Sequence, residues 1–405
     1  MKQQTQRPLT WEERRKRDER QRHLREKEKE SRELARGPID LPFFVLVILL
    51  TGIGLVMLLS ASFPSAYYET DGRNPTFYFV RQGIFAIMGI AAMLFISKIN
   101  YQWFRRFARP LLFVSVILLV FVLIPGVGIM RNNARRWLGI GELLTFQPSE
   151  IAKVAVVVYF SHSISKKKDK MRTFRYGILP YALLLIVLAV LVGLEPHLSG
   201  AILIMGAGAA LMLVGGIQWR WVVGAVGAAA GMLYLVLGVI GYNASRIEMW
   251  HNPWADAQGK GYQLSQSLIS IGSGGLLGVG LGRSRQKFLF LPEEHNDFIF
   301  AIVCEELGLI GASLIMLLFA ALILRGYWIA LHARDRFGSL LVVGVITLIA
   351  LQTFLNIAVV TGLIPATGIS LPFFSYGGTA LAIQLVEVGV VLSVSRQIPA
   401  PKMGK

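Results

Sequence analysis

The sequence predicts an all-α polytopic membrane protein with about ten transmembrane helices and a long extracellular loop between spans seven and eight. Of its 405 residues, 54% are hydrophobic and only 16% are charged, whereas globular proteins carry about 25% charged residues. The apolar residues fall into long runs, most of them near the roughly 20 residues that a helix needs to cross a bilayer. Basic residues cluster in alternate connections between these runs. Together these observations exclude an ordinary soluble domain.

The chain divides into a charged tail (residues 1–40), an apolar membrane domain (41–396) with an outer loop (241–297), and a short C-terminal tail (397–405). The N-terminal tail holds 13 Lys/Arg and 9 Asp/Glu and has almost no apolar residues. We expect it to be solvated, either disordered or a charged helix, attracted to anionic lipid headgroups and dispensable for chemistry. Its mixed charges lack interleaved aromatic residues, which argues against nucleic-acid binding.

The first apolar run, 43–59, follows forty mostly polar residues. That leader is too long for the n-region of a signal peptide, so the run is expected to be an uncleaved anchor. The further runs are 77–96, 111–127, 151–163, 179–194, 198–217, 222–240, 298–324, 340–360 and 380–394. The fourth run is short and contains Lys153, so its helix is predicted to begin near Pro148, a residue suited to a first helical turn.

Basic residues orient the chain in the membrane. They follow span two (Lys98, Arg105, Arg106, Arg109) and span four (Lys166, Lys167, Lys168, Lys170, Arg172, Arg175). Because cytoplasmic connections are enriched in Lys and Arg, both termini are predicted to be cytoplasmic and the loop 241–297 extracellular. The outer connection between spans three and four is an exception, since it holds Arg131, Arg135 and Arg136. These basic residues indicate an anionic ligand outside.

The outer loop is long enough to carry function. Apolar residues alternate with Gly, Ser and Gln over 264–271 and 274–281, so this part is expected to lie at the membrane interface or to re-enter partway. The glycine-rich stretch 274–283 lacks the strand and the Gly-Lys-Ser/Thr ending of a nucleotide site. Close packing of a turn, or backbone amides near a lipid phosphate, are the favoured interpretations.

Charged residues at membrane depth are costly and are therefore candidates for function. The candidates are Glu150, Lys153, Glu195, His197, Glu305, Glu306 and Glu387. A structural alternative is that Glu305 and Glu306 pair with basic residues, and that Glu150 pairs with Lys153 at i,i+3. Glu195 and His197 alone are too few for a metal site. The single cysteine, Cys304, excludes a disulfide within the chain.

Asp297 lies directly before span eight, in the sequence Pro292-Glu-Glu-His-Asn-Asp297. An acidic residue in front of an apolar helix is a common N-cap. A carboxylate at this outer position could also remove a proton from a sugar hydroxyl. The spacing alone leaves both roles open.

Four stretches resemble one known family, the SEDS proteins (shape, elongation, division, sporulation). They are residues 139–153, 252–268, 284–301 and 356–378. The resemblance extends over about 41–396, and within the family it is greatest to the FtsW and SpoVE members of Gram-positive bacteria. One departure is Glu195-Pro-His197, where many members read Gln-Pro-Asp. Any role that the family gives to that acidic residue is therefore not transferred to His197.

The resemblance implies ten transmembrane helices and a peptidoglycan glycosyltransferase that polymerises lipid II for septal wall synthesis in cell division. It implies a class B penicillin-binding protein as partner, together with other divisome proteins, and a place in the bacterial plasma membrane. The essential carboxylate falls on Asp297. Substrate-binding candidates are Arg136, Lys153, Arg246, Arg283, Arg285, Lys287, Glu293 and His295, of which the cations would hold a pyrophosphate leaving group.

A second hypothesis is a lipid II flippase, which polar residues inside the spans could equally serve. The sequence leaves open whether a divalent cation such as Mg²⁺ or Mn²⁺ is required. It also does not distinguish division from elongation or sporulation, and it does not determine the oligomeric state.

Overall fold

The computed structural model describes residues 37–131, 134–140, 144–195, 197–221 and 244–398, with isolated positions before residue 23 and at 223, 224 and 227. Within these residues the chain is mostly helical, with one small sheet. The elements in chain order are α1 (Leu41–Glu69), α2 (Phe77–Ser97), α3 (Phe104–Leu123), β1 (Ile129–Arg131), β2 (Ala134–Ile140), β3 (Leu144–Phe146), α4 (Pro148–Lys167), α5 (Leu179–Leu194), α6 (Leu198–Val214), α7 (Ala244–His251), α8 (Tyr262–Gly274), α9 (Ile299–Leu331), α10 (Arg336–Val360) and α11 (Thr379–Ser395).

Six helical segments in the described part are long and apolar enough to cross a membrane. They are α1, α2, Tyr101–Leu123 including α3, Phe174–Leu194 including α5, α9 and α10. Helices α6 and α11 are apolar but shorter, and α4 carries four charged residues in its 20. Each predicted apolar run coincides with one of these helices except the run 222–240, which lies largely outside the described residues. The total of about ten spans therefore stays a prediction.

Local sequence signals set several helix ends. The Asp40 carboxylate accepts a hydrogen bond from the Phe43 amide (3.0 Å) at the start of α1. Asp335 does the same for the Gly338 amide (2.9 Å) at the start of α10. Such caps satisfy amides that have no partner within the helix. Helix α4 begins at Pro148, as predicted, because proline lacks the N–H that a first turn leaves unpaired.

Helix α10 lies at the centre of the bundle. In its membrane-crossing window 72% of the residues are buried, against 22% for α2. Helices α4, α6 and α9 pack against α10, and α11 packs along α2. The side chains between them are mainly Val, Ile, Leu and Phe. The apolar residues of the outer helices that remain exposed fit a lipid environment.

A three-stranded antiparallel sheet in the connection between α3 and α4 was not predicted from the sequence. Strand β2 pairs with β1 (Ile129 opposite Trp137) and with β3 (Leu138 opposite Phe146). Strand β2 contacts both α3 and α4. The sheet thus holds the basic connection, including Arg136, against the outer end of the bundle.

The outer loop folds back along α9. Helix α8 packs beside α9, and the glycine-rich stretch after α8 forms backbone hydrogen bonds with it. The amides of Val279 and Gly280 donate to the carbonyls of Glu305 (2.9 Å) and Glu306 (3.0 Å). Helix α9 is interrupted here at Gly308, which has φ +66°, and a β-carbon at that position would lie 2.3 Å from the Gly278 nitrogen. The glycines therefore permit a direct backbone-to-backbone contact.

Most of both tails lies outside the described residues. The described positions between 11 and 22 are helical, and Arg15 contacts Glu19 at 3.2 Å on the exposed surface. An exposed i,i+4 pair of this kind adds at most a few tenths of a kcal/mol. Residues 399–405 lie outside the described part of the chain.

Candidate functional site

A cavity of about 280 Å³ opens where the small sheet, α2, α4 and α6 meet the segment before α9 and the loop before α11. This volume lies near the lower end of the range for small-molecule sites, about 300–1,000 Å³. The ionisable side chains that line it are Arg81, Arg136, Glu150, His197, Glu293 and Asp297. Cations and carboxylates thus share one enclosed space.

Asp297 does not cap α9. The helix begins at Ile299, and its N-cap residue is Phe298, with no hydrogen bond from a capping side chain. The Asp297 carboxylate accepts no hydrogen bond from the described residues and faces the cavity. A β-carbon built on Gly368 would lie 3.2 Å from one carboxylate oxygen of Asp297, so this oxygen lies close to the glycine. The carboxylate is therefore available to a molecule in the cavity.

The surroundings of Asp297 favour its protonated form. Burial and, to a smaller extent, the nearby Glu293 carboxylate raise the pKa of Asp297 to about 6 against the opposing charges of Arg136 and His295. The side chain is set deep in the protein although the cavity leaves it partly exposed. A carboxyl group with a pKa closer to neutrality is a better general base than an ordinary aspartate.

The cations predicted from the sequence separate into different environments. Arg136 lines the cavity, and its Nε donates to the Glu195 carbonyl (3.2 Å). Lys153 lies beside the cavity, where it is buried and pairs with Glu150 at 2.8 Å, as predicted for the i,i+3 spacing. It lines a second space of about 30 Å³ that also includes Glu150 and Glu387.

Arg283, Arg285 and Lys287, the other predicted cations with described side chains, do not line the cavity. Arg283 and Arg285 are exposed on the outer loop. The side chain of Arg246, in α7, lies outside the described part of the structure. Lys287 is buried, and its Nζ contacts the Glu306 carboxylate at 2.9 Å. Of the predicted cations whose side chains the structure describes, only Arg136 lines the cavity with Asp297.

Lys287 belongs to a buried polar network that fixes the outer loop to α9. Ser60 of α1 donates to Glu306 (2.7 Å). Glu305 accepts from Ser284 (2.5 Å) and from the Arg285 amide (2.9 Å). The expected pairing with a basic side chain is observed for Glu306, whereas hydroxyl and amide groups satisfy Glu305.

Glu293 and His295 occupy different sides of the segment before α9. Glu293 lines the cavity and has φ +57°, and its carbonyl accepts from the amides of Asn296 (3.1 Å) and Phe298 (3.2 Å). His295 is not among the residues that line the cavity, and it packs against Tyr78, with ring centroids 4.5 Å apart. Its Nδ1 lies 3.2 Å from the Glu294 carboxylate.

Sequence reasoning missed Arg81. It lies on α2, inside a run predicted to cross the membrane, and it lines the cavity opposite the sheet. An arginine within an apolar span is the signal that could have identified it. Gln352 and Tyr376 also line the cavity, but neither residue type is distinctive in a sequence.

Glu195 and His197 lie in the turn between α5 and α6. Both carboxylate oxygens of Glu195 are buried and have no hydrogen-bond partner among the described residues. Burial raises the pKa of Glu195 to about 8 against the opposing effect of Arg136. The His197 Nδ1 lies 3.2 Å from Ser149 Oγ. Burial and the charges of Arg136 and Lys153 lower the pKa of His197 to about 3. His197 is therefore neutral at physiological pH.

Glu195→Gln is expected to stabilise the protein above neutral pH. In the unfolded chain this carboxyl ionises near its ordinary pKa of 4.5, whereas in the folded protein it keeps its proton up to about pH 8. The wild type therefore becomes less stable as the pH rises from 4.5 to about 8. The Glu195→Gln variant has no carboxyl group at this position and does not lose this stability. Since one unit of pKa difference corresponds to about 1.4 kcal/mol, the expected gain at pH 8 is several kcal/mol.

Thermal unfolding in detergent at pH 5 and pH 8.5 would measure this gain. The exposed Glu248→Gln provides a matched control, which should change little at either pH. A melting temperature for Glu195→Gln at or below that of the wild type at pH 8.5 would contradict the assignment.

The described residues do not form a metal site by themselves. They contain no group of three or more His, Cys, Asp or Glu side chains that could hold an ion. Asp297 has Glu293 as its nearby acidic residue, and one or two carboxylates hold Mg²⁺ in proteins where substrate phosphates complete its coordination.

Comparisons with known proteins agree with this architecture. The chain is 44% identical over 359 residues to stage V sporulation protein E of Bacillus subtilis, covering 88% of this chain and 97% of that protein. It is 42% identical over 361 residues to a probable peptidoglycan glycosyltransferase FtsW of Geobacter metallireducens, covering 89% and 95%.

Solved structures show the same fold. One is a chain of a peptidoglycan synthase complex studied for the coordination of polymerization and crosslinking, with a TM-score of 0.74, 26% identity, and coverage of 89% of this chain and 98% of that one. Another is the rod shape determining protein RodA of Thermus thermophilus, with a TM-score of 0.65, 26% identity, and coverage of 90% and 99%. A family model for cell cycle proteins matches residues 40–399. The chain therefore belongs to the FtsW/RodA/SpoVE family of cell cycle proteins.

Proposed function

We propose that this protein is a peptidoglycan glycosyltransferase that polymerises lipid II into glycan strands. One observation carries this proposal. The Asp297 carboxylate does not cap α9 and faces a cavity that is also lined by Arg81 and Arg136. The names of the relatives support the activity, and the family's membrane architecture suits a lipid-linked substrate.

The proposed reaction is one displacement at the donor sugar. The acceptor 4-hydroxyl oxygen bonds to the anomeric carbon of the donor while the bond from that carbon to the pyrophosphate oxygen breaks, with inversion. Asp297 takes the hydroxyl proton, and polyprenyl pyrophosphate leaves with the bonding electron pair. Because pyrophosphate is a good leaving group, a second carboxylic acid is not required, unlike in glycoside hydrolases.

Arg136 and Arg81 are the cations suited to the leaving group. Both line the same cavity as Asp297, and preorganised cations stabilise negative charge that develops on a departing phosphate. Arg136 acts on Asp297 as well, since its charge opposes the rise in the pKa of that carboxyl. Loss of the pyrophosphate would therefore also change the electrostatic environment of the base.

The pH dependence of turnover follows from the pKa of Asp297, which burial raises to about 6. The base acts only when deprotonated, so kcat should rise about tenfold per pH unit below pH 6 and level off above it. A polymerisation series between pH 4.5 and 8 would measure this profile. A rate that stays constant down to pH 4.5 would contradict a base with a raised pKa.

The proposed setting is the bacterial plasma membrane at the division septum, with both termini cytoplasmic and the loop 241–297 outside. The proposed partner is a class B penicillin-binding protein, together with other divisome proteins. A relative in a solved peptidoglycan synthase complex supports this pairing. The lipid-exposed apolar surface of the bundle offers room for a partner's transmembrane helix.

A lipid II flippase is the second candidate. The observation that favours it is the smaller polar space inside the bundle, lined by Lys153, Glu150 and Glu387 next to the main cavity. Buried charges of this kind are frequent along transport pathways. The smaller space holds only about 30 Å³, which is far too small for a disaccharide, so we favour the polymerase.

The test is polymerisation of labelled lipid II by the purified protein, with and without its class B penicillin-binding partner. We expect glycan strands from the protein and more strands when the partner is bound. An absence of strands in both conditions, with a complex demonstrably formed, would refute the proposed activity.

A further inference from the structure

The segment that carries Asp297 is held in place by its backbone carbonyls. The His295 carbonyl accepts from the Tyr376 amide (2.9 Å). The Asn296 carbonyl accepts from the Ser375 hydroxyl (2.7 Å). The Asp297 carbonyl accepts from the side-chain amide of Asn356 (2.7 Å). Three consecutive carbonyls are thus fixed from outside the segment.

The loop that supplies two of these contacts, residues 365–378, is itself anchored. The buried Gln82 of α2 donates to the Ser375 carbonyl (3.1 Å), and its carbonyl oxygen accepts from the amides of Gly377 (3.2 Å) and Gly378 (2.9 Å). The Ser199 hydroxyl of α6 donates to the Gly368 carbonyl (3.2 Å). The loop is therefore a fixed wall of the cavity.

Asn356 joins this wall to Asp297. It lies on the central helix α10 and is fully buried. Its amide nitrogen donates to the Asp297 carbonyl and also to the Ile369 carbonyl, at 2.7 and 2.6 Å. One side chain thus uses both amide protons to hold Asp297 and Ile369, and Ile369 follows the glycine that lies against the Asp297 carboxylate.

The two contacts require two N–H donors on a short side chain. An aspartate in this position would present oxygen atoms to both carbonyls, and a serine could donate to only one. A buried carbonyl left without a donor is energetically costly, so the segment would shift to find another partner. The Asp297 carboxylate would shift with it.

We infer that Asn356 is a positioning residue that sets the distance between the Asp297 carboxylate and the cavity wall at Gly368. The inference rests on the proposed polymerase function. Asn356 itself does not line the cavity, so it acts on the reaction only through the two residues that it holds, Asp297 and Ile369. A misplacement of a catalytic group by about 1 Å lowers turnover about 10²-fold.

The test compares Asn356→Asp and Asn356→Ser with the matched control Thr353→Val. Thr353 lies one turn earlier on α10, is also buried, and donates only to the Ile349 carbonyl of its own helix (2.8 Å). Purified proteins are compared for folded fraction, kcat, KM for lipid II and the pH profile of polymerisation. We expect both Asn356 variants to lose about 10²-fold in kcat with KM unchanged, and the midpoint of the pH profile to move.

A purely structural role predicts a different result. A variant that only folds less well leaves its folded molecules with wild-type kcat, KM and pH midpoint, and this outcome overturns the inference. Equal losses in Thr353→Val, or failure of both Asn356 variants to fold, also overturn it. An inactive wild type would instead refute the proposed function, so the two failures are distinguishable.

Discussion

Asp297→Asn is expected to lower lipid II polymerisation by about 10²- to 10⁴-fold while expression, melting temperature and lipid II binding stay near those of the wild type. The amide of asparagine cannot accept a proton as a general base. It has nearly the shape of aspartate, and it caps a helix about as well. Binding should survive because Arg81 and Arg136, which also line the cavity, are unchanged.

The control for this variant is Asp256→Asn in the same outer loop. The Asp256 carboxylate accepts from the Lys260 amide (2.9 Å) on the exposed surface, so its replacement should leave polymerisation unchanged. Helix α9 has no side-chain cap. If Asp297 nevertheless acted only as a helix cap, asparagine would replace it, and the variant would lose neither stability nor turnover. Full polymerisation by Asp297→Asn would end the assignment of Asp297 as the base.

Lys287→Met is expected to destabilise the protein by about 3–5 kcal/mol. Its Nζ contacts both the Glu306 carboxylate (2.9 Å) and Ser60 Oγ (3.0 Å), and lysine and glutamate are both buried. Removal of the cation would leave a buried carboxylate without its counter-charge. The double variant Lys287→Met with Glu306→Gln removes both charges and should recover most of the loss.

This comparison separates two roles for Lys287. If Lys287 held the pyrophosphate, Lys287→Met would fold normally and show a raised KM, and the second substitution would not restore it. Arg283→Met, on the exposed part of the same loop, is a control that should change the melting temperature little. Thermal unfolding and steady-state kinetics on the four proteins would decide between the roles.

Much of the helical architecture was predictable because an apolar run in a membrane has few alternatives to a helix. The prediction that α4 begins at Pro148 was confirmed. The small sheet was missed because strands of three to seven residues carry too little alternation to distinguish them from a loop. The interruption of α9 at Gly308 was also missed, since glycine within an apolar span does not by itself indicate a break.

The site was predictable in part. The family resemblance predicted a catalytic role for Asp297, whereas its spacing also left an N-cap open. The structure shows that this residue does not cap α9. Arg136 was a candidate because the sequence predicts it on the outer side of the membrane, against the usual charge bias. The burial of Lys287 against Glu306 could not be predicted, because the pairing depends on how the outer loop folds back along α9.

The most direct test of the central claim measures two activities in the same vesicles. Purified wild-type protein is reconstituted with fluorescent lipid II, and glycan strands are resolved on a gel while transbilayer movement of the lipid is followed by quenching. A polymerase with Asp297 as its base predicts strands from the wild type and almost none from Asp297→Asn. Movement of lipid II without strand formation by the wild type would contradict the account.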